Sequence, residues 1–221
     1  MQKGFTLIEL LIVIGIIAVL SVVVLLTLNP AELLRQARDS NRLSDIGTMK
    51  SALALYLVDV SPTSIGSHAN CYVSLDSGTD TVTDLEGLAG GAETDGTCGG
   101  RFTATAAAQQ LTGATIRNID GTGWIPVALD DIGGGAPLSA LPVDPTNALE
   151  NATPPTAGGS YYYAYRSAPS GCASGSCTQY ELNANMESIK FRNGGSANVE
   201  STDGGNNADL FEVGTEPGLD I

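Results

Sequence analysis

The sequence is poor in the side chains that carry most enzyme chemistry. Its 221 residues include one histidine, one tryptophan and three methionines, and only 10 Lys and Arg stand against 24 Asp and Glu. The lone His68 has no Ser-His-Asp spacing around it, and no glycine loop has a phosphate-binding form. Gly133-Gly134-Gly135 is a flexible turn, not a cofactor fingerprint, and Asp130-Asp131 is a solvated acidic pair with no partner for acid-base work. Enzymatic activity is therefore not expected, and no cofactor is called for. Basic residues are scarcest beyond Ser61, where Arg101, Arg117, Arg166, Lys190 and Arg192 are the full set in a chain of net charge −14. Such a surface repels phosphate backbones, so direct nucleic-acid binding is not expected.

Cysteine is sparse but even in number: Cys71, Cys98, Cys172 and Cys177, all beyond the apolar N-terminal stretch. Two disulfides in an oxidising compartment are the default reading. The competing reading is a zinc site using His68, three residues before Cys71, but the paired short spacings of structural zinc sites are missing.

What the chain does have is an uninterrupted uncharged run from Leu10 to Leu28. A bilayer needs about 20 such residues. An ordinary secretory signal has a shorter apolar core followed by small residues at a cleavage point, whereas this run is followed by Asn29-Pro30-Ala31. The segment is expected to stay in the mature protein. Upstream lies only Met1-Gln2-Lys3-Gly4, and Glu9 places a carboxyl inside an otherwise apolar helix. A charge at that depth usually has a partner and a purpose; a place at the interface, where the helix dipole favours it, is the plainer explanation.

Gly4-Phe5-Thr6-Leu7-Ile8-Glu9-Leu10 resembles the class III signal of type IV pilins and type II secretion pseudopilins. The resemblance implies cleavage by a prepilin peptidase between Gly4 and Phe5, with methylation of the new amine on Phe5. It implies that Glu9 pairs with the terminal amine of a neighbouring subunit, which makes Phe5 and Glu9 the assembly residues. Two opposite charges in lipid stabilise each other only by meeting, so this pairing would set subunit register. The implied partners are identical subunits in a helical filament, the peptidase, and assembly machinery with a separate motor ATPase. The implied location is the bacterial inner membrane for the precursor, then an extracellular or periplasmic filament. Within the same class a secretion pseudopilin is the alternative, and from another class a single-span anchored surface binding protein. Arg35, Arg38 and Arg42 outnumber Lys3, so charge bias does not fix topology; the cysteines and the resemblance place the head outside.

The expected fold is α+β, a pilin-like lollipop whose long N-terminal helix packs against a small antiparallel β-sheet head. Its parts are a leader over 1–4, a transmembrane and filament-core helix over 5–28, and an amphipathic continuation over 29–60. The head occupies 61–221, with a variable loop region over 61–124 and a β-sheet and C-terminal region over 125–221. Pro30 predicts a kink or break near Leu28. Many members of the resembled family carry a proline where this chain has Leu26, so the resemblance does not fix the site of any filament-linked helix melting. After Pro30, Leu34, Ala37, Ile46, Met49, Leu53, Tyr56 and Val60 form a core stripe, with Arg35, Arg38, Asp39, Arg42 and Asp45 on the other face.

Ser61-Pro62 ends this helix and opens a Gly, Ser, Thr and Asp rich region, which a Cys71–Cys98 disulfide would close. Ala104 to Leu111 is expected to form a short helix. Tyr161 to Tyr165, Thr178 to Leu182 and Ser188 to Phe191 are expected strands, with tyrosines alternating across a half-buried sheet and Cys172 to Cys177 stapling the first turn. Calcium is a further expectation at Asp203 and Asp209, whose loop offers several hard oxygens, although Asp, Asn and Gly also favour turns by themselves. Leu141-Pro142-Val143-Asp144-Pro145 resembles the loop after the variable region of major pseudopilins. Asn151-Ala152-Thr153 matches the N-glycosylation pattern and carries little weight.

Overall fold

The computed structural model describes residues 4–76, 98, 101–102, 107–111, 113–148, 160–215 and 218–221, with the side chains of 25–28, 107, 108 and 110 excepted. Asn151-Ala152-Thr153 and, within the variable loop region, residues 77–97, 99–100, 103–106 and 112 lie outside the described residues. Two helices lead the chain. The first, α1 (Leu7–Leu28), starts at Thr6 with a capping box, and the second, α2 (Pro30–Asp59), follows after one residue. That residue, Asn29, takes a left-handed conformation at φ 40°, which asparagine tolerates better than most side chains. Pro30 then sits in the first turn of α2, where its missing N–H costs nothing. The expected break near Leu28 is present, and its cause is this Asn-Pro pair.

Five strands form one sheet: β1 (Asn70–Asp76), β2 (Ala107–Leu111), β3 (Tyr163–Ala168), β4 (Gln179–Ala184) and β5 (Phe211–Gly214). Their order is β2-β1-β3-β4-β5, antiparallel throughout except for the parallel β1–β2 pair. The α+β arrangement of a long helix and a small, largely antiparallel sheet is thus present. Three local expectations need correction. Ala107 to Leu111 extends as β2 beside β1 and is not helical. Ser188 to Phe191 forms turns, and the last strand comes twenty residues later as β5. The segment Asn70–Asp76, taken as loop, is the second strand in the sheet order; its alternation of Cys71, Val73 and Leu75 with Tyr72 and Ser74 was the available signal.

Both faces of the sheet are covered, so the tyrosine run is buried on both sides. Tyr163, Tyr165 and Tyr180 face α2, where Tyr163 Oη donates to Asp45 Oδ2 at 2.9 Å and Tyr180 Oη donates to the Lys50 carbonyl at 3.2 Å. Around them pack Ile46, Met49, Leu53, Tyr56, Trp124 and Leu182. Trp124 is fixed in this core by its indole N–H, which donates to the Pro142 carbonyl at 2.9 Å. Tyr162 points the other way, into a second cluster with Cys71, Val73, Leu75, Cys98, Phe102 and Ile221. Two disulfides brace the head: Cys71–Cys98 ties β1 to the cover of this second face, and Cys172–Cys177 closes the β3–β4 connection. With Cys71 in a disulfide, the zinc alternative loses its thiolate. His68 instead places Nδ1 2.9 Å from the Ser167 carbonyl.

Candidate assembly site

The N-terminal half of α1 stands exposed, with none of it buried against the described residues of the head. A window of 18 residues, Leu7–Val24, is apolar enough to cross a membrane and has none of its residues buried. At 1.5 Å per residue, the 22-residue helix is about 33 Å long, close to the hydrocarbon thickness of a bilayer. The apolar side chains of the Leu7–Val24 window are left exposed to solvent, where lipid or another protein would remove them from water.

One acid interrupts that surface. Glu9 stands in the first turn of α1, and its carboxylate accepts from the Thr6 backbone N–H at 2.8 Å and from the Thr6 hydroxyl at 2.7 Å. In return Thr6 Oγ1 accepts from the Glu9 backbone N–H at 3.3 Å. The capping box holds the carboxylate four positions from Phe5, itself 85% exposed. Gly4 precedes them in extended chain, where nothing lies within 4 Å of a would-be side chain. Gly4, Phe5 and Glu9 are therefore adjacent at one exposed helix end. A Gly4–Phe5 cleavage would leave a free amine within a turn of this carboxylate.

At the other end, α2 is bolted to the head by charge as well as by apolar packing. Arg42 and Asp39, expected on the solvent face, are completely buried. The Arg42 guanidinium donates to both oxygens of Asp144 and, through Nη1, to Asp39 Oδ1 at 2.7 Å. Asp39 also accepts from the backbone N–H groups of Glu187 and Ser188, and Glu32 accepts from that of Ile189. Glu187 completes the group by pairing with Arg38 and, at 3.3 Å, with Arg42. Burial works against the Arg42 charge, but the bonds and attraction of Asp144 and Asp39 more than offset it and raise its pKa. Stepping back from Ile46 by four and then three residues lands on Arg42 and Asp39, so helical spacing was the signal for their burial. Leu34 and Ala37, assigned to the stripe, are exposed, since before Asp39 the head meets α2 through Glu32 and Arg38 and not through the apolar stripe.

The acidic C-terminal loop carries Asp203 and Asp209, the two residues of the calcium expectation. Asp203 uses both oxygens on backbone donors, Oδ1 on Gly205 N and Oδ2 on Glu212 N. Near Asp209, the Asn207 side chain accepts from the Asp209 backbone N–H in a local turn. Among the described residues no three His, Cys, Asp or Glu side chains converge as metal ligands. These contacts are turn chemistry.

The chain thus has an N-terminal helix long and apolar enough to cross a membrane, joined to a head braced by two disulfides. Residues 1–25 match the family described as the prokaryotic N-terminal methylation motif, the signal of type IV pilin-like and pseudopilin-like precursors. No curated protein and no solved structure matches the chain.

Proposed function

We propose that this chain is a structural subunit of a type IV pilus or pilus-like filament. A prepilin peptidase cuts between Gly4 and Phe5 and methylates the new amine. The precursor waits in the inner membrane with its head outside, then joins identical subunits by burying α1 in a filament core. The observation that carries this reading is α1 itself, an exposed apolar helix with a single carboxylate one turn from the cleavage point. Exchange of lipid for neighbouring helices leaves its apolar surface equally satisfied, so extraction is feasible. Glu9 gains on assembly what the capping box gives it before, a donor for its charge, now the amine of the neighbouring Phe5. Energy comes from a separate motor ATPase, and the subunit's part is structural and not enzymatic.

A secretion pseudopilin is the second reading, favoured by the Leu141-Pro142-Val143-Asp144-Pro145 loop. In this chain the loop anchors α2 through Asp144. The test is mass spectrometry of the N-terminal peptide from sheared extracellular material and from membranes, for the wild type and Glu9→Ala. The expected result is a mature chain starting at N-methylated Phe5, abundant in the sheared fraction of the wild type and depleted there for the variant, with equal membrane amounts. A chain that begins only at Met1, or normal filament yield from Glu9→Ala, overturns the assignment.

A further inference from the structure

The face of the sheet turned away from α2 carries a row of polar side chains that the assembly reading leaves unused. Arg166 on β3 lies directly across from Glu181 on β4, and Asn183 on β4 lies across from Glu212 on β5. Glu181 and Glu212 are therefore diagonal neighbours on one face. Each is 1% exposed, and their carboxyl groups approach within hydrogen-bonding reach.

Among the described residues no ion pair closes on either acid, although Arg166 attracts Glu181 from across the strand pair. Arg166 turns its guanidinium toward His68, donating from Nε to the His68 carbonyl at 3.0 Å. Arg101 donates to the Ser160 carbonyl and to Asn183 Oδ1. Asp203 adds a further negative charge beside Glu212, and Lys50 of α2 reaches only the open cleft that Asp203 and Glu212 also line. Two carboxylates in contact inside a protein cannot both remain ionised. Glu181 Oε2, moreover, receives no hydrogen bond. An oxygen that carries a proton needs an acceptor instead, and Glu212 supplies one.

We propose that Glu181 and Glu212 share a single proton across the β4–β5 seam, and that this acid pair is a pH-sensitive clasp for the described C-terminal residues 203–215 and 218–221. The segment is folded onto the pair. Glu212 Oε2 accepts from Asn207 N at 2.9 Å, the Glu212 N–H donates to Asp203 Oδ2 at 2.6 Å, and the Ile221 backbone N–H reaches Glu181. A Cβ at Gly205 would collide with the Glu212 carboxylate, so glycine is what lets the loop close down. Removing the shared proton puts two like charges under this loop, and the edge strand β5 is the element able to move away.

Burial first, and then the Glu212 charge, raise the Glu181 pKa above the usual range, and burial first raises that of Glu212, with Asp203 adding to it. The folded state then holds more protons than the unfolded chain from the ordinary glutamate pKa of about 4.3 upward. Stability contributed by the pair is greatest at low pH and is lost as pH rises through the raised values. His68 is held below its ordinary value by burial, and Glu200 is raised only to about 6, so neither gains or loses its proton on the alkaline side of neutrality.

The test uses the full chain in detergent micelles. Thermal unfolding is followed at about pH 7 and about pH 9, and the infrared carbonyl band of a protonated carboxylic acid is sought at the lower pH. The wild type is expected to show that band and to lose several degrees of Tm at the higher pH. Glu181→Gln, whose amide donates to Glu212 as the acid does, should lack the band and hold nearly the same Tm at both. Absence of the band in the wild type overturns the proposal, and so does an unchanged Tm loss in the variant. Should Glu181→Gln not fold, Glu212→Gln is judged by the same Tm criterion and the wild-type band decides by itself.

Discussion

Arg42 Nε lies 2.7 Å from Asp144 Oδ2 and Nη2 lies 2.8 Å from Asp144 Oδ1, a two-pronged pair with both side chains wholly out of solvent. It joins the middle of α2 to a loop 102 residues further along the chain. Asp39 on the same helix and the Tyr161 ring, 4.8 Å beneath the guanidinium, complete its enclosure. The geometry fixes the angle at which the head sits on its stalk, because a planar fork accepts a carboxylate in one orientation.

Arg42→Ala is expected to destabilise the protein by about 3–5 kcal/mol, since it strands Asp39 and Asp144 as buried charges. Arg42→Lys should recover only part of this, because an ammonium cannot bridge both Asp144 oxygens and Asp39. Chemical denaturation of the full chain in micelles measures both. A loss under about 1 kcal/mol for Arg42→Ala would show that the cluster is not what holds the junction.

Acid should loosen the same junction. The Glu187 pKa is lowered, first by its hydrogen bond from Arg38 and further by attraction to Arg38 and Arg42. A depressed carboxylate contributes stability that is present above its unfolded pKa and is lost as pH falls through the folded value. Tm of the wild type should therefore fall below about pH 4, and Glu187→Gln should be less stable near neutrality with a flatter acid limb. Parallel acid limbs for the two proteins would remove Glu187 as the cause. The Glu181–Glu212 pair works in the opposite direction, so stability is expected to peak between the two limbs.

The two disulfides should differ in worth. Cys71 and Cys98 are 27 residues apart, whereas Cys172 and Cys177 are 5 apart. Loop-closure entropy makes the longer link the stronger one, about 2–4 kcal/mol for its removal. The paired Ser variant at 71 and 98 is expected to lose more Tm than that at 172 and 177, by scanning calorimetry. The reverse order would mean that the β3–β4 turn depends on its staple more than the cover of the second sheet face does.

Much of the N-terminal helix end was legible in the sequence, including the methylation motif that residues 1–25 match. The Gly4-Phe5 junction, Glu9, the uncharged run to Leu28 and the Asn29-Pro30 break are local features, each governed by residues within one or two helical turns. The head was legible in outline, since alternating tyrosines and turn-rich connections point to a sheet. Its details failed where pairing decided the outcome. Ala107 to Leu111 has residues suited to a helix, but the open edge of β1 takes it as a parallel strand. Ser188 to Phe191 has strand-like residues, but the segment 187–189 is drawn to Asp39 and Glu32 on α2 and turns there instead.

By itself the sequence determined a helix long and apolar enough to cross a membrane, an N-terminal methylation motif and an acidic, cysteine-bearing head, because composition and short-range spacing suffice for those. Tertiary structure alone decided that Asp39 and Arg42 are core residues and that Glu181 and Glu212 meet. A charged side chain is read as solvent-facing until a distant segment supplies its counter-charge or its neighbour. Asp144 stands 102 residues from Arg42, and Glu212 stands one strand away from Glu181. Those distances along the chain are closed only by the packing of α2 and the ordering of β4 beside β5.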